Sequence, residues 1–256
     1  MLRAGVAFDP DLAFVSGLDW RIFPRDQRRD PPVPVINYVQ SVRHAWMENP
    51  RRPLLVNKAI RICVSPEVQS ALEETGDVRG PMFTIPAAID YAALSAVAPR
   101  ERDLDLLIVA LKAPGLGRDL RDRLARSGRA IELLDRLIPR PALLELLTRA
   151  GVTLFLPYEV EGWPLPLLEG MALGTIVVCP DVVGNRSFCL DGENCFRREY
   201  TREALLDATQ TALASRPELA TMIERAKATA RSYDLGHERA AFLDILGRVE
   251  EMWAGI

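Results

Sequence analysis

Two carboxylates, Glu161 and Glu169, are separated by seven intervening residues in TLFLPYEVEGWPLPLLEGMALGTIVV, residues Thr153 to Val178. Val152 to Leu156 has the length and β-branched composition of a buried strand, which breaks at Pro157 into a polar loop. From Pro164 to Leu173, Leu165, Leu168, Met171 and Ala172 recur at helical spacing, Gly174 is placed to close the helix, and Thr175 to Cys179 reads as a second buried strand. This spacing puts Glu161 in the loop at a helix mouth and Glu169 about two turns further on. A helix mouth offers unpaired N–H groups and partial positive charge, which suits a diphosphate. A carboxylate beside it accepts two hydroxyls at once, as a ribose presents them. Lys112 and Arg118, near an earlier strand-to-helix loop, would add full charges. A phosphate cradle with a diol acceptor describes a nucleotide site.

The elements that must position these groups follow a regular rhythm from Asp103 onward. Strands are predicted over 104–110, 130–134, 152–156, 175–179 and 195–196. Helices are predicted over 118–126, 141–150, 164–173, 202–214 and 217–232, with a last helix over 236–253. Alternation of this kind implies a doubly wound, mainly parallel α/β sheet, with its ligand at the carboxyl ends of the strands. The polar residues after those ends are Lys112 with the predicted turn Pro114 to Gly117, the loop Pro157 to Pro164, and Asp181 to Ser187, which carries Asn185 and Arg186. The first hundred residues are short elements separated by proline. Strands are expected over 12–15, 33–39, 61–64 and 82–85, a short helix carrying His44 over 41–48, a helix over 66–74 capped by Ser65, and a helical turn over 91–96. After Ala98-Pro99, the charged run Arg100 to Asp103 is the expected linker, and the expected domains are 1–97 and 98–256.

Composition narrows the function classes. With 32 basic against 35 acidic residues, the chain has no electrostatic footprint for nucleic acid or an anionic membrane. No apolar run approaches the ~20 residues of a membrane span, and MLRAGVAFDPDL does not read as a signal peptide, so the expected location is the cytoplasm. The four cysteines, Cys63, Cys179, Cys189 and Cys195, lack the paired spacing of a zinc site and are expected as reduced thiols. Asp103-Leu104-Asp105 has the letters of a metal site but opens a strand, so no metal is expected. Gly115-Leu116-Gly117 partly mimics a dinucleotide fingerprint with Glu132 downstream, but Leu120 occupies the third glycine position.

EGWPLPLLEGMALGTIVV, preceded by VTLFLP and followed by GNRSFCLDGENC, resembles the donor-binding core of the retaining GT-B glycosyltransferases, family 4 type. Glu161, Gly162, Leu165, Pro166, Glu169, Met171, Ala172 and Gly174 carry the likeness. ICVSPEVQSAL and FTIPAAID extend it upstream. The resemblance implies two Rossmann-like halves, a complete C-terminal doubly wound sheet and an abbreviated N-terminal acceptor-side domain. It also implies metal-independent transfer, with retention, from a UDP- or GDP-sugar to a glycan, lipid or small-molecule acceptor, and no other cofactor. By it, Glu169 would hold the ribose hydroxyls and Glu161 would lie beside the transferred sugar. Gly162 and Trp163 would bring amides near sugar or phosphate, and Asn185 and Arg186 would lie at the following loop. Lys112 approximates a phosphate-binding lysine of the family, and His44 stands where acceptor-side residues occur. The sequence departs from the family pattern at Pro164, where a glycine is usual and one backbone donor is lost. Ala87-Ala88 stands for Asn-Gly, and Ser187 for a common Glu.

The alternative is a weakly active or inactive nucleotide-binding module that serves a larger partner. A sheet edge left open in residues 1–97 would be covered most economically by a second copy of the chain.

Overall fold

The computed structural model describes residues 10–97, 100–125, 128–215 and 219–256. The readings that fall on residues 1–9, on Ala98-Pro99, on Arg126 and on Pro217 lie outside this set. The chain divides into two compact units: one runs to Ile85 and takes in Ala240–Ile256, and the other is Pro86–Arg239. This division differs from the expected boundary at 97/98 in two respects: it falls twelve residues earlier, and the C-terminal helices go with the first unit.

The reason for the second difference is topological. The first unit holds four parallel strands, β1 (Ala13–Ser16), β2 (Val35–Val39), β3 (Ile60–Cys63) and β4 (Met82–Thr84), in the order β1-β2-β3-β4. Right-handed crossovers that always step the same way put every connection on one face of the sheet. Trp20 and Phe23, from the β1–β2 connection, bury that face against Ala13, Val15 and Val35. The opposite face carries Ile36, Ile60 and Ile62, and the C-terminal segment covers it with Phe242, Ile245, Val249 and Met252. That segment is two helices, α8 (Leu235–Gly247) and α9 (Val249–Ala254), broken at Arg248.

Other first-unit elements follow local chemistry. The helix α1 (Pro66–Glu73) starts as expected, with the Ser65 side chain accepting from Val68 N and Pro66 at its first turn. The predicted helix over 41–48 is instead a single 3-10 turn, Val42–Ala45. Arg61, on β3, is fully buried without a carboxylate, and burial pushes its pKa down to about 10. Its guanidinium donates to the carbonyls of Arg79 and Leu55 at 2.7 Å and of Asn57 at 2.8 Å, so a buried cation ties down the segments on either side of β3. Arg61→Met keeps the stem but leaves these acceptors bare, and is expected to cost about 2–4 kcal/mol in urea unfolding.

The second unit is a five-stranded parallel sheet of β5 (Leu104–Val109), β6 (Ile131–Leu134), β7 (Ala150–Phe155), β8 (Ile176–Pro180) and β9 (Phe196–Arg198), in the order β6-β5-β7-β8-β9. Its helices are α2 (Tyr91–Ser95), α3 (Pro114–Leu124), α4 (Arg140–Arg149), α5 (Leu165–Ala172), α6 (Arg202–Ala214) and α7 (Ala220–Ser232). Leu106, Ile108, Val152, Leu154, Ile176 and Val178 form one buried face with Leu120 and Leu124 of α3 and with Leu205, Ala208 and Ala212 of α6. On the other face Thr153 Oγ1 meets Thr175 Oγ1 at 2.8 Å, a buried polar pair that satisfies itself.

The α3 boundary corrects an expectation. Pro114 to Gly117 form the first helical turn, not a turn ahead of a helix that begins at Arg118. A Cβ on Gly117 would meet the Ala110 Cβ at 2.3 Å, so the glycine serves close packing of helix on strand. The expected linker is also not free: Arg149 makes two bonds to Asp103, at 2.9 and 2.8 Å, and Arg102 donates to the carbonyls of Ala150 and Leu173. Asp105 Oδ2 accepts from Ala130 N at 3.0 Å. Both aspartates of the Asp-x-Asp letters thus lie at the amino end of β5 and are engaged there.

Candidate functional site

Strand order reverses between β5 and β7, because the chain leaves β5 toward β6 on one side and later leaves β7 toward β8 on the other. Such a switch point opens a crevice at the carboxyl ends of the two strands. Lys112 follows β5 and Glu161 follows β7, and Lys112 Nζ lies 2.5 Å from Glu161 Oε2. Two residues 49 positions apart that sequence reasoning assigned to one site are therefore in contact. Lys112 also lies 5.2 Å from the ring centroid of Tyr158, a contact that sequence reasoning missed. The lysine side chain is 37% exposed. Half-exposed pairs of this kind are worth little net energy, so an incoming anion can compete for the ammonium.

The two helix mouths beside the crevice are unequal. At α5, Pro164 and Pro166 have no N–H, Leu165 N is spent on Trp163 O at 3.1 Å, and Leu167 N on Pro164 O at 3.1 Å. The mouth expected to cradle a diphosphate has therefore lost its free donors, and the loss goes beyond the one amide that Pro164 removes. At α3, Gly117 N reaches Ala113 O at 3.0 Å, while helix geometry leaves Gly115 and Leu116 N–H without an intrahelical acceptor. Gly115 is exposed, with open space where a side chain would be. The α3 mouth therefore keeps backbone donors, and it opens two residues after Lys112.

Glu169 is 4% exposed, and its Oε1 lies 2.5 Å from Arg140 Nη1, at the first residue of α4. Burial raises its carboxyl pKa, and the Arg140 guanidinium works against that rise. Arg140, which sequence reasoning missed, is 59% exposed, so it can leave the carboxylate at little cost. One helical turn from Arg140 is Leu143, and one turn before Glu169 is Pro166. These two line an apolar cavity of about 140 Å³ with Val109, Lys112, Phe155 and Pro164. Lys112 in the cavity wall, and Glu169 one turn of α5 beyond Pro166, thus mark the two ends of a candidate strip at the carboxyl end of the sheet.

The remaining expected site residues fare differently. The Trp163 side chain is tied inward: its Nε1 donates to Ala87 O at 2.8 Å, and its ring packs 4.7 Å from Phe188 and 5.1 Å from Tyr233. The Asn185 side chain, fully buried, is consumed by its own loop, accepting from Val182 N at 3.2 Å and donating to Pro180 O at 2.9 Å. Its amide therefore shapes the turn and does not reach outward. Arg186 makes two bonds to Asp181, at 3.1 and 3.0 Å, and Arg118 pairs with Asp135 at 2.9 Å. Leu165 opens α5, and Gly162 lies where Gly184 approaches: Gly184 N donates to Glu161 O at 2.8 Å, and a Cβ on Gly184 would stand 2.1 Å from the Gly162 carbonyl. Tyr200, also missed, anchors the start of the same loop through its hydroxyl to Pro157 O at 2.6 Å.

His44 belongs to the first unit, and it is 8% exposed, not on the surface. Desolvation, then Arg51 and Arg43, lower its pKa from 6.5 to about 4, so it is neutral at pH 7. Because the unfolded state binds this proton more readily, the histidine's contribution to stability is full above pH 6.5 and is lost as pH falls toward 4. Its size is about 3 kcal/mol. Urea unfolding at pH 7 and pH 4.5 should show a smaller acid loss in His44→Gln than in the parent; equal losses would refute it.

The class defined by these two parallel-sheeted α/β units, each Rossmann-like, is the GT-B fold of glycosyltransferases. Residues 133–229, which hold Glu161, Glu169 and the loop after β8, match the family described as Glycosyl transferases group 1. Sucrose-phosphate synthase from Thermosynechococcus elongatus is similar at 14% identity and a TM-score of 0.69, over 94% of this chain and 74% of that one. Anabaena HepE, solved in complex with UDP, is similar at 14% identity and a TM-score of 0.69, over 84% and 72%. The α,α-trehalose-phosphate synthase (UDP-forming) from Burkholderia vietnamiensis is similar at 15% identity and a TM-score of 0.66, over 85% and 70%. A search of curated proteins gives no match. Among the described residues, no helix is long and apolar enough to cross a membrane.

Proposed function

We propose that this chain is a glycosyltransferase that takes a sugar from a UDP- or GDP-sugar, with retention and without a metal ion. The observation that carries the reading is the strip across the switch point, with Lys112 and the α3 mouth at one end and Glu169 beside the apolar cavity at the other. In this reading the base enters the cavity and the ribose diol displaces Arg140 from Glu169. The diphosphate takes Lys112 from Glu161 and accepts from the α3 amides. As the glycosidic bond breaks, negative charge grows on the departing diphosphate, and the lysine and helix mouth stabilise it without reorganising. Glu161, released from Lys112, lies beside the transferred sugar. The match to the group 1 family and the likeness to a protein solved with UDP support the donor class. Retention rests on the resemblance of the Glu161 to Glu169 segment.

Incubation with UDP- and GDP-sugars, followed by proton NMR, tests the reaction through release of nucleoside diphosphate and a product of unchanged anomeric configuration. Lys112→Ala is expected to lower turnover by about 100-fold, since one preorganised charge on the leaving group is lost. The proline-filled α5 mouth supports a second reading, a nucleotide-binding module without turnover. Binding of UDP or GDP with no sugar released from any donor would select it.

A further inference from the structure

Three of the four cysteines, without the close paired spacing of a metal motif, converge. Cys179 is the penultimate residue of the fully buried β8, Cys195 immediately precedes β9, and Cys189 lies in the loop between them. All three are fully buried, and their sulfur atoms lie within 4.8 Å of one another. Cys179 pairs in register with Arg197, so Cys195, two residues earlier on β9's side, shares its face of the sheet as a diagonal neighbour. Two buried asparagines fix the loop that returns Cys189 to them. Asn185 braces one side and points its Nδ2 at Cys179 Sγ, 3.5 Å away. Asn194 braces the other, accepting from Leu190 N and donating to Phe188 O, each at 2.8 Å.

We propose that Cys179, Cys189 and Cys195 form a binding site for one soft, thiophilic metal ion. A metal–sulfur bond of about 2.3 Å places the sulfurs of a three-thiolate site about 4 Å apart, which the observed limit accommodates. Soft thiolate donors select ions such as Zn(II) and Cu(I) over hard cations. Binding releases the thiol protons, forms three metal–sulfur bonds and changes no oxidation state. Asn185 Nδ2 supplies a donor to the developing thiolate, and a cover of exposed residues, Arg186, Ser187 and Leu190 to Glu193, gives access when the loop opens. The site is separate from the proposed nucleotide strip. It stiffens the loop whose Gly184 backs Glu161.

Titration of the reduced protein with Cd(II) tests this through the sulfur-to-cadmium charge-transfer band in the ultraviolet, with bound cadmium counted by mass spectrometry. Saturation is expected at one equivalent, with a rise in Tm. Cys189→Ala should abolish the band, whereas Cys63→Ala, which alters the one cysteine outside the cluster, should keep it. Parallel titrations with Zn(II) and Cu(I) identify the ion preferred. No band in the folded parent protein overturns the proposal, as does a band kept in Cys189→Ala; the first of these does not depend on whether any variant folds. UDP binding is read separately in the same samples, so failure of this site and failure of the glycosyltransferase reading are distinguishable.

Discussion

Glu169→Ala is expected to weaken UDP or GDP binding by about 10- to 100-fold while leaving Tm unchanged or higher. A carboxylate that loses two charge-assisted hydroxyl contacts forfeits about 1.4–2.8 kcal/mol. The opposite sign for stability comes from the same geometry. The carboxyl is 4% exposed and its pKa is raised by burial, so at neutral pH the folded state bears a desolvation cost. Removing the group removes that cost. Arg140 is left without its partner but is 59% exposed and can be solvated. Isothermal titration and thermal unfolding on the same variant separate the outcomes. Weakened binding at unchanged Tm supports a ligand role; a lower Tm with unchanged binding makes Glu169 a structural partner of Arg140.

Gly184→Ala is expected to destabilise the second unit by about 2–3 kcal/mol and to abolish sugar transfer. The added methyl would lie 2.1 Å from both C and O of Gly162 and 2.6 Å from Glu161 O. These are backbone atoms, so no rotamer change relieves the clash, and one of the two loops must move. Movement also breaks the 2.8 Å bond from Gly184 N to Glu161 O and shifts the carboxylate that holds Lys112. Glu169 sits on α5, beyond the displaced backbone, so nucleotide binding should survive better than turnover. Urea unfolding with a transfer assay checks both parts. Wild-type turnover in this variant would show that the position of the Glu161 loop is immaterial.

Much of this was legible in the sequence where local and tertiary demands agree. Thr201 caps α6 and the pattern of buried leucines and alanines fixed its limits, Arg202–Ala214, as expected. Ser65-Pro66 announced α1 for the same reason. The α/β class, with parallel strands, followed from the alternation of periods. The misreadings fall where long-range contact overrides local composition. Gly117 looked like a turn residue, yet its glycine is required by the approach of α3 to Ala110. Arg100 to Asp103 looked like a linker because nothing local shows that Arg149 and the carbonyls of Ala150 and Leu173 would hold it. Ser41 to Glu48 had helical composition but closes after one 3-10 turn.

The candidate site divides in the same way. Lys112, Glu161 and Glu169 were singled out because strand ends and helix mouths concentrate ligand chemistry, and the fold brings the first two into contact. Asn185 and Trp163 sit in the right loops, but their side chains turn inward, a direction that loop position does not encode. Arg140 had no signal, since it meets Glu169 only through the tertiary placement of the first residue of α4. Spacing along the chain likewise hid the three cysteines, which β8, β9 and the loop between them assemble.

The central claim is that the strip from Lys112 to Glu169 holds a nucleoside diphosphate, and isothermal titration with UDP, GDP and NAD(H) tests it most directly. One site for UDP or GDP is predicted, weakened by Lys112→Ala and by Glu169→Ala, with no response to NAD(H). No heat with either diphosphate, or binding that both substitutions leave unchanged, would contradict it.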